Sequence, residues 1–361
     1  MKAAVCRAYD KPLVIEDIEI DPPQTGEVKV QVVACAICHS DVHQIRGDWS
    51  AKLPLVAGHG ASGIVKEVGP GVTGVNVGDH VVVSLLRSCG RCFYCSKGDT
   101  HLCEGTFALQ TETRLHTKAG EPILQSIKTA AFAEYAVVDQ SQLVPIPKEI
   151  PLDSASLLAC GVITGLGAVI NTARVGTGES VAVVGIGGVG LNAIQGAYLS
   201  GAQPIIALDL LENKLQAARD FGATHTINVA QETDPAAVVQ GLTGGRGVDY
   251  AFVTVGSPLA VVQALSLIRR GGSLVLVGIP DDKATHPLLL AQTVWKEQRI
   301  LSSSMGSTRL SVQVPQLIAL YQQKRLKLDE LISRRYPLEE INEAINSMER
   351  GEALRNVIVF S

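Results

Sequence analysis

The chain has 361 residues, more than one ordinary core accommodates, so two domains are expected. Hydrophobic residues make up 46% and charged residues 18%, a balance that suits a folded enzyme and excludes a disordered chain. The net charge of −4 is carried without any basic block, which argues against nucleic acid or an anionic membrane as partner.

Residues Met1–Asp10 lack the apolar core of a signal peptide, and the expected location is cytoplasmic. Up to about Val162 the chain reads as β-rich. Val28, Val30 and Val32 alternate with other residues as in a half-buried strand, and Gly69, Gly71, Gly74 and Gly78 break short apolar runs into turns. Glu104–Ala131 is polar and without period, and a long surface excursion is expected there. The apolar run Leu157–Ile170 is too short to span a bilayer and reads as a buried segment.

Near Ser180 the texture changes. Strands are expected at Ser180–Val184, Pro204–Leu208, Tyr250–Val255, Leu274–Val277 and Arg299–Ser302. Helices are expected at Val189–Ser200, Asn213–Phe221 and Leu259–Arg270. Such alternation predicts βαβ units and a parallel sheet. Helices follow at Val312–Lys324 and Leu338–Arg350, and the apolar run Asn356–Phe360 closes the chain.

Gly185-Ile186-Gly187-Gly188-Val189-Gly190 fits G-x-G-x-x-G between a predicted strand and a predicted helix, and the acid Asp209 ends the next strand. Gly185 permits the tight turn, Gly187 lets the backbone approach a pyrophosphate, and Gly190 lets helix and strand pack closely. The helix N-terminus offers free N–H groups and a positive dipole end. Asp209 suits ribose hydroxyls and repels a 2′-phosphate, so NAD is expected rather than NADP. An ordinary β-turn-α without ligand is the plain alternative.

Cys89-x2-Cys92-x2-Cys95-x7-Cys103 gathers four of the eight cysteines in one short loop. Four thiolates fill a zinc tetrahedron and leave no position for substrate, so a structural zinc is expected. A disulfide pair or free thiols would be the alternatives. Cys38, His59 and Cys160 are scattered, and their spacing alone leaves them as ordinary buried side chains or as three ligands of an open zinc.

The chain resembles the zinc-dependent alcohol dehydrogenases of the medium-chain dehydrogenase/reductase type over nearly its whole length. The segments that carry the resemblance are Cys38-His39-Ser40-Asp41-Val42-His43, Gly58-His59, the four-cysteine loop, Cys160-Gly161-Val162-Ile163-Thr164-Gly165, the glycine turn with Asp209, and Gly351-Glu352-Ala353-Leu354-Arg355. The resemblance implies an α/β fold: a Rossmann doubly wound parallel sheet at 162–304, and a β-rich GroES-like catalytic domain from 1–161 and 305–361 with the structural zinc lobe, the active site lying between them. It implies two zinc ions per chain and NAD.

Cys38, His59 and Cys160 would hold the catalytic zinc, with Asp41 bonded to the far nitrogen of His59. Ser40 would meet the alcohol oxygen, and His43 would end a proton relay. His39 and Arg355 would meet the pyrophosphate, Lys214 the adenosine ribose, and Thr164 and Val189 the nicotinamide; Val277 joins the cofactor-binding set. Where the family has a glutamate after the zinc-binding histidine, this chain has Gly60.

The implied reaction is hydride transfer between a primary alcohol, apolar or aromatic, and NAD, giving the aldehyde, and the reverse. Trp49 and Phe107 stand where glutathione-dependent relatives carry an acid and an arginine, and with Leu85 they point to an apolar substrate. A thiol-adduct formaldehyde dehydrogenase is the second enzyme reading, and a catalytically idle NAD-binding zinc scaffold is a third. A homodimer is expected, with a tetramer as the alternative, and Arg299–Ser302 is the candidate pairing edge. Neither nucleic acid nor membrane is an expected partner.

Overall fold

Strand-forming valines and alanines set the frame of the N-terminal part. The computed structural model describes residues 1–49 and 51–360. The long strand Glu27–Ala36 buries Val28, Val30 and Val32 on one face, as alternation predicts. It pairs antiparallel with Ala61–Val68, Tyr135–Asp139 and Arg355–Val359. His80–Val83, Leu143–Ile146 and Ile332–Pro337 complete this seven-stranded sheet. A second sheet of six strands contains Lys2–Cys6, Leu55–Val56 and Pro122–Gln125. Together these strands form one compact unit, Met1–Cys160, joined by the chain from Arg309 onward.

The expected surface excursion at Glu104–Ala131 is corrected. Leu115 and Ile123 are buried, and Pro122–Gln125 pairs parallel with Leu55–Val56. Arg114 is buried too, its guanidinium bonded to both carboxylate oxygens of Glu27 at 2.9 and 2.7 Å. Strands of two and four residues are too short to show a period. The charge on Arg114 disguises burial, because its partner lies far away in sequence.

The second unit is Gly161–Thr308. Its six strands run parallel, in the order His225–Asn228, Ile205–Asp209, Val181–Val184, Val248–Val253, Ile268–Leu276, Arg299–Ser302. In sequence terms that is 3-2-1-4-5-6, the doubly wound order, with its switch point between Val181–Val184 and Val248–Val253. Both central strands are apolar along most of their length, as a sheet covered on both faces requires. The helix expected at Leu259–Arg270 is Pro258–Leu267; Ile268 already belongs to the next strand. Strand His225–Asn228 and helix Pro235–Leu242 were not foreseen; the strand exposes His225, and the helix has one buried residue, Val239. Among the described residues no single helix is long and apolar enough to cross a membrane.

Candidate active site

Cys38, His59 and Cys160 come together. One ligand atom from each lies within 4.8 Å of the others. Cys38 is the N-cap of helix His39–Arg46, His59 sits just before strand Ala61–Val68, and Cys160 falls between helices Leu152–Leu158 and Gly161–Gly167. Tetrahedral zinc with bonds of about 2.3 Å to sulfur spaces its ligand atoms about 3.7 Å apart, so the donor set and its spread fit that ion. His59 Nε2 is already 3.2 Å from Cys160 Sγ.

Asp41 organises this cluster from complete burial. Its Oδ1 accepts from His59 Nδ1 at 2.8 Å and from Gly58 N at 2.9 Å, and its Oδ2 accepts from Cys38 N at 3.0 Å. A carboxylate can only accept, so Nδ1 carries the hydrogen and Nε2 is left as the donor atom for a metal. Burial opposes charge on His59, but Asp41 and Cys160 outweigh it and hold the imidazole well above its usual range. The hydrogen bond between the two thiols draws Cys38 well below the ordinary thiol range and pushes Cys160 well above it. Arg355 is buried beside them, its Nη1 donating to Ile37 O at 2.9 Å; burial works against its charge and the nearby thiols restore it. Three protein donors leave one corner of a tetrahedron for a small molecule, which is the composition of a catalytic site.

Ser40 and His43 lie three residues apart on helix His39–Arg46 and so share a face, while His39 opens the helix toward solvent. Sequence reasoning missed Asp48, whose Oδ2 lies 2.7 Å from His43 Nδ1. Trp49 stacks on the His43 ring, centroids 4.9 Å apart. Phe107 lies against the Arg87 guanidinium, 5.8 Å from ring centre to Cζ, and Leu85 is half-buried just beyond strand His80–Val83. At Gly60 an added Cβ would meet Cys160 Cβ at 3.5 Å, an ordinary contact, so the position has room for a side chain.

Cys89, Cys92, Cys95 and Cys103 form the second cluster, their Sγ atoms within 4.8 Å of one another. Backbone N–H groups of Cys89, Cys92, Cys95 and Gly105 point at these sulfurs. Hydrogen bonds from the Cys95 and Glu104 backbone draw Cys92 down to about 6, while burial pushes Cys95 up to about 12. Helix Phe93–Lys97 inside this loop buries no residue, so the thiols rather than a core define its shape. The donor chemistry fits a closed four-thiolate zinc site.

In the second unit the glycine turn lies at the carboxyl end of Val181–Val184. Gly185 has φ +91, and a Cβ on Gly190 would lie 2.0 Å from Gly185 O. A Cβ on Gly165 would lie 2.2 Å from Val189 O, so helix Gly161–Gly167 meets helix Gly188–Leu199 backbone to backbone. Gly187 is exposed as the N-cap of the latter helix, and Val189 is half-buried in its first turn. Asp209 reaches the turn: its Oδ2 accepts from Ile186 N at 2.6 Å and its Oδ1 from Leu211 N at 3.0 Å. Thr254, not foreseen, donates to Gly185 O at 2.5 Å and ties the turn to the neighbouring strand. Thr164 donates to Met305 Sδ at 3.7 Å, Val277 N bonds Val253 O, and Lys214 is buried in helix Glu212–Asp220.

Residues 24–148 match the alcohol dehydrogenase GroES-like domain, and residues 188–323 match the zinc-binding dehydrogenase domain. The chain is 39% identical to an alcohol dehydrogenase class-3 of Pisum sativum, covering 99% of this chain and 97% of that one. It is 37% identical to an NDMA-dependent alcohol dehydrogenase of Amycolatopsis methanolica, covering 100% and 99%. The structure of benzyl alcohol dehydrogenase from Acinetobacter calcoaceticus superposes with a TM-score of 0.93 at 32% identity, covering 100% of this chain and 99% of that chain.

Proposed function

The chain belongs to the zinc-dependent alcohol dehydrogenases, and from that premise we propose that it transfers hydride between a primary alcohol, apolar or aromatic, and NAD. The observation that carries the reading is the open set Cys38, His59 and Cys160, with Asp41 fixing the histidine. Zinc held by these three residues would supply a Lewis acid that makes an alcohol proton easier to remove, and NAD would supply the hydride acceptor. Ser40 takes the proton from the alcohol oxygen and passes it towards His43, which releases it outward.

The Gly185–Gly190 turn and the helix behind it would hold the pyrophosphate. Asp209 orients the ribose hydroxyls and selects against a 2′-phosphate, Lys214 meets the adenosine ribose, and Thr164, Val189 and Val277 border the nicotinamide. Cys89, Cys92, Cys95 and Cys103 would hold the second, structural zinc.

Trp49 stacked beside His43 and the likeness to a benzyl alcohol dehydrogenase support an apolar substrate. The likeness to class-3 enzymes supports the thiol-adduct formaldehyde reading as the second choice. A homodimer is supported by strand Arg299–Ser302, which pairs on one side only, and by exposed Leu290, Val294 and Trp295 near it.

NADH absorbance would be followed with ethanol, hexanol, benzyl alcohol, and formaldehyde with several thiols, each against NAD and NADP, with and without a zinc chelator. Turnover of free alcohols with NAD, lost on chelation, is the expected result. Activity only on formaldehyde–thiol mixtures would transfer the assignment to the second reading. Silence throughout, with NAD still bound, would leave an idle scaffold.

A further inference from the structure

Helix His39–Arg46 ends on Gly47, whose φ of +82 is the left-handed conformation. A Cβ there would also lie 2.9 Å from the Tyr9 ring, so glycine is required by both torsion and space. The turn it makes folds the chain back over the last helical turn. N–H groups of Gly47 and Asp48 both donate to His43 O, at 3.1 and 3.0 Å. Asp48 is thereby pinned by its backbone where its carboxylate meets His43 Nδ1 at 2.7 Å. The next residue, Trp49, lays its ring on the imidazole with the planes 27° apart.

Two contacts from one short turn, the Asp48 carboxylate and the Trp49 ring, therefore fix a single imidazole. The side chains of His43 and Asp48 are 27% and 38% exposed, so as an ion pair they add little to stability. What the contact determines is the tautomer. A carboxylate oxygen has no hydrogen to offer, so Nδ1 carries the proton and Nε2 carries the lone pair. An unrestrained histidine side chain favours the opposite tautomer, in which Nε2 bears the hydrogen and cannot accept another.

We propose that Asp48 is a positioning residue for the proton relay: it holds His43 in the Nδ1–H tautomer and leaves Nε2 as the ring atom that accepts the proton. The inference rests on the reading of His43 as the outer end of the relay. Trp49 assists by preventing the ring from turning over, so one aromatic side chain serves both the substrate side and the relay.

The test compares Asp48→Ala, Asp48→Asn and His43→Gln in the zinc-loaded protein. Two-dimensional 1H–15N correlation of 15N-histidine-labelled protein reads the imidazole tautomer, and the signal missing in His43→Gln identifies His43 among the eight histidines. Asp48→Ala is expected to move His43 from the Nδ1–H pattern toward the Nε2–H pattern. Its kcat is expected to fall on the order of tenfold with KM held, less than a full general base contributes because surface water replaces part of the relay. Asp48→Asn keeps an acceptor oxygen and is expected to restore both tautomer and rate. An unchanged tautomer in Asp48→Ala overturns the proposal, as does a parental rate in Asp48→Ala when His43→Gln is slow. If His43→Gln itself turns over at the parental rate, the relay reading falls, and this proposal with it.

Discussion

Removing the Asp41 carboxylate is the perturbation that most directly probes the zinc-ligand cluster. Asp41 is fully buried and accepts three hydrogen bonds, from Cys38 N, Gly58 N and His59 Nδ1. Asp41→Ala leaves three buried donors without an acceptor. At about 1–3 kcal/mol each, partly relieved by relaxation or an entering water, the loss in stability is about 3–6 kcal/mol. Asp41→Asn is milder. Its one oxygen can still serve Gly58 and His59, but its amide faces Cys38 N, donor against donor, for a loss of about 1–3 kcal/mol. Asp41→Ala also frees His59 to rotate, which weakens zinc binding by about 10–100-fold. Urea unfolding of both variants would measure the stability change, and competition with a chromophoric chelator would measure zinc affinity. If Asp41→Ala unfolded at the parental urea concentration and held zinc equally well, the account of Asp41 as organiser of the cluster would be wrong.

Gly190→Ala forces a methyl group to 2.0 Å from Gly185 O, so it is expected to lower stability by about 1–3 kcal/mol and to weaken NAD binding more than tenfold; scanning calorimetry and NAD titration report the two effects. Cys95→Ser is expected to drop bound zinc from two ions per chain to one, measured by atomic absorption, and to expose the loop to proteolysis, because helix Phe93–Lys97 buries nothing of its own. Gly60→Ala is expected to leave the melting temperature unchanged, since its Cβ meets only ordinary contacts; Gly60→Glu brings a carboxylate beside Cys160 and is expected to alter turnover, an expectation that equal rate constants would refute.

The parallel sheet was legible because its central strands are continuous apolar runs, each closed by a glycine or an acid, as at Gly185 and Asp209. The four-thiol loop was legible because its ligands are close in sequence. Cys38, His59 and Cys160 were not legible from spacing. Each rises from a different element, a helix cap, a strand entry and a helix junction, and only likeness to a family joined them in advance. Asp48 was missed although its signal was present: Gly47 marks the end of helix His39–Arg46, and a left-handed cap returns the next residues over the last turn. Thr254 was missed because a threonine at a strand end has no distinguishing pattern. Arg114 was missed because a charge gives no hint of burial until its partner, Glu27, is found.

Strand Arg355–Val359 pairs with Ala34, Cys35 and Ala36, so the sheet next to Cys38 is closed by a strand made more than 300 residues later in the chain. Unit Gly161–Thr308 is continuous in sequence and can close as soon as it has left the ribosome. The unit bearing Cys38 and His59 cannot: its strand Glu27–Ala36 stays one neighbour short, with Ile37 N still unmatched, until Arg355–Val359 has been made. Closing that contact spans more than 300 residues of chain, but loop entropy grows only logarithmically with length, so the delay costs time more than stability. The growing chain therefore passes through an interval in which the continuous unit can already be folded while the strand that leads into Cys38 still lacks its Arg355–Val359 neighbour.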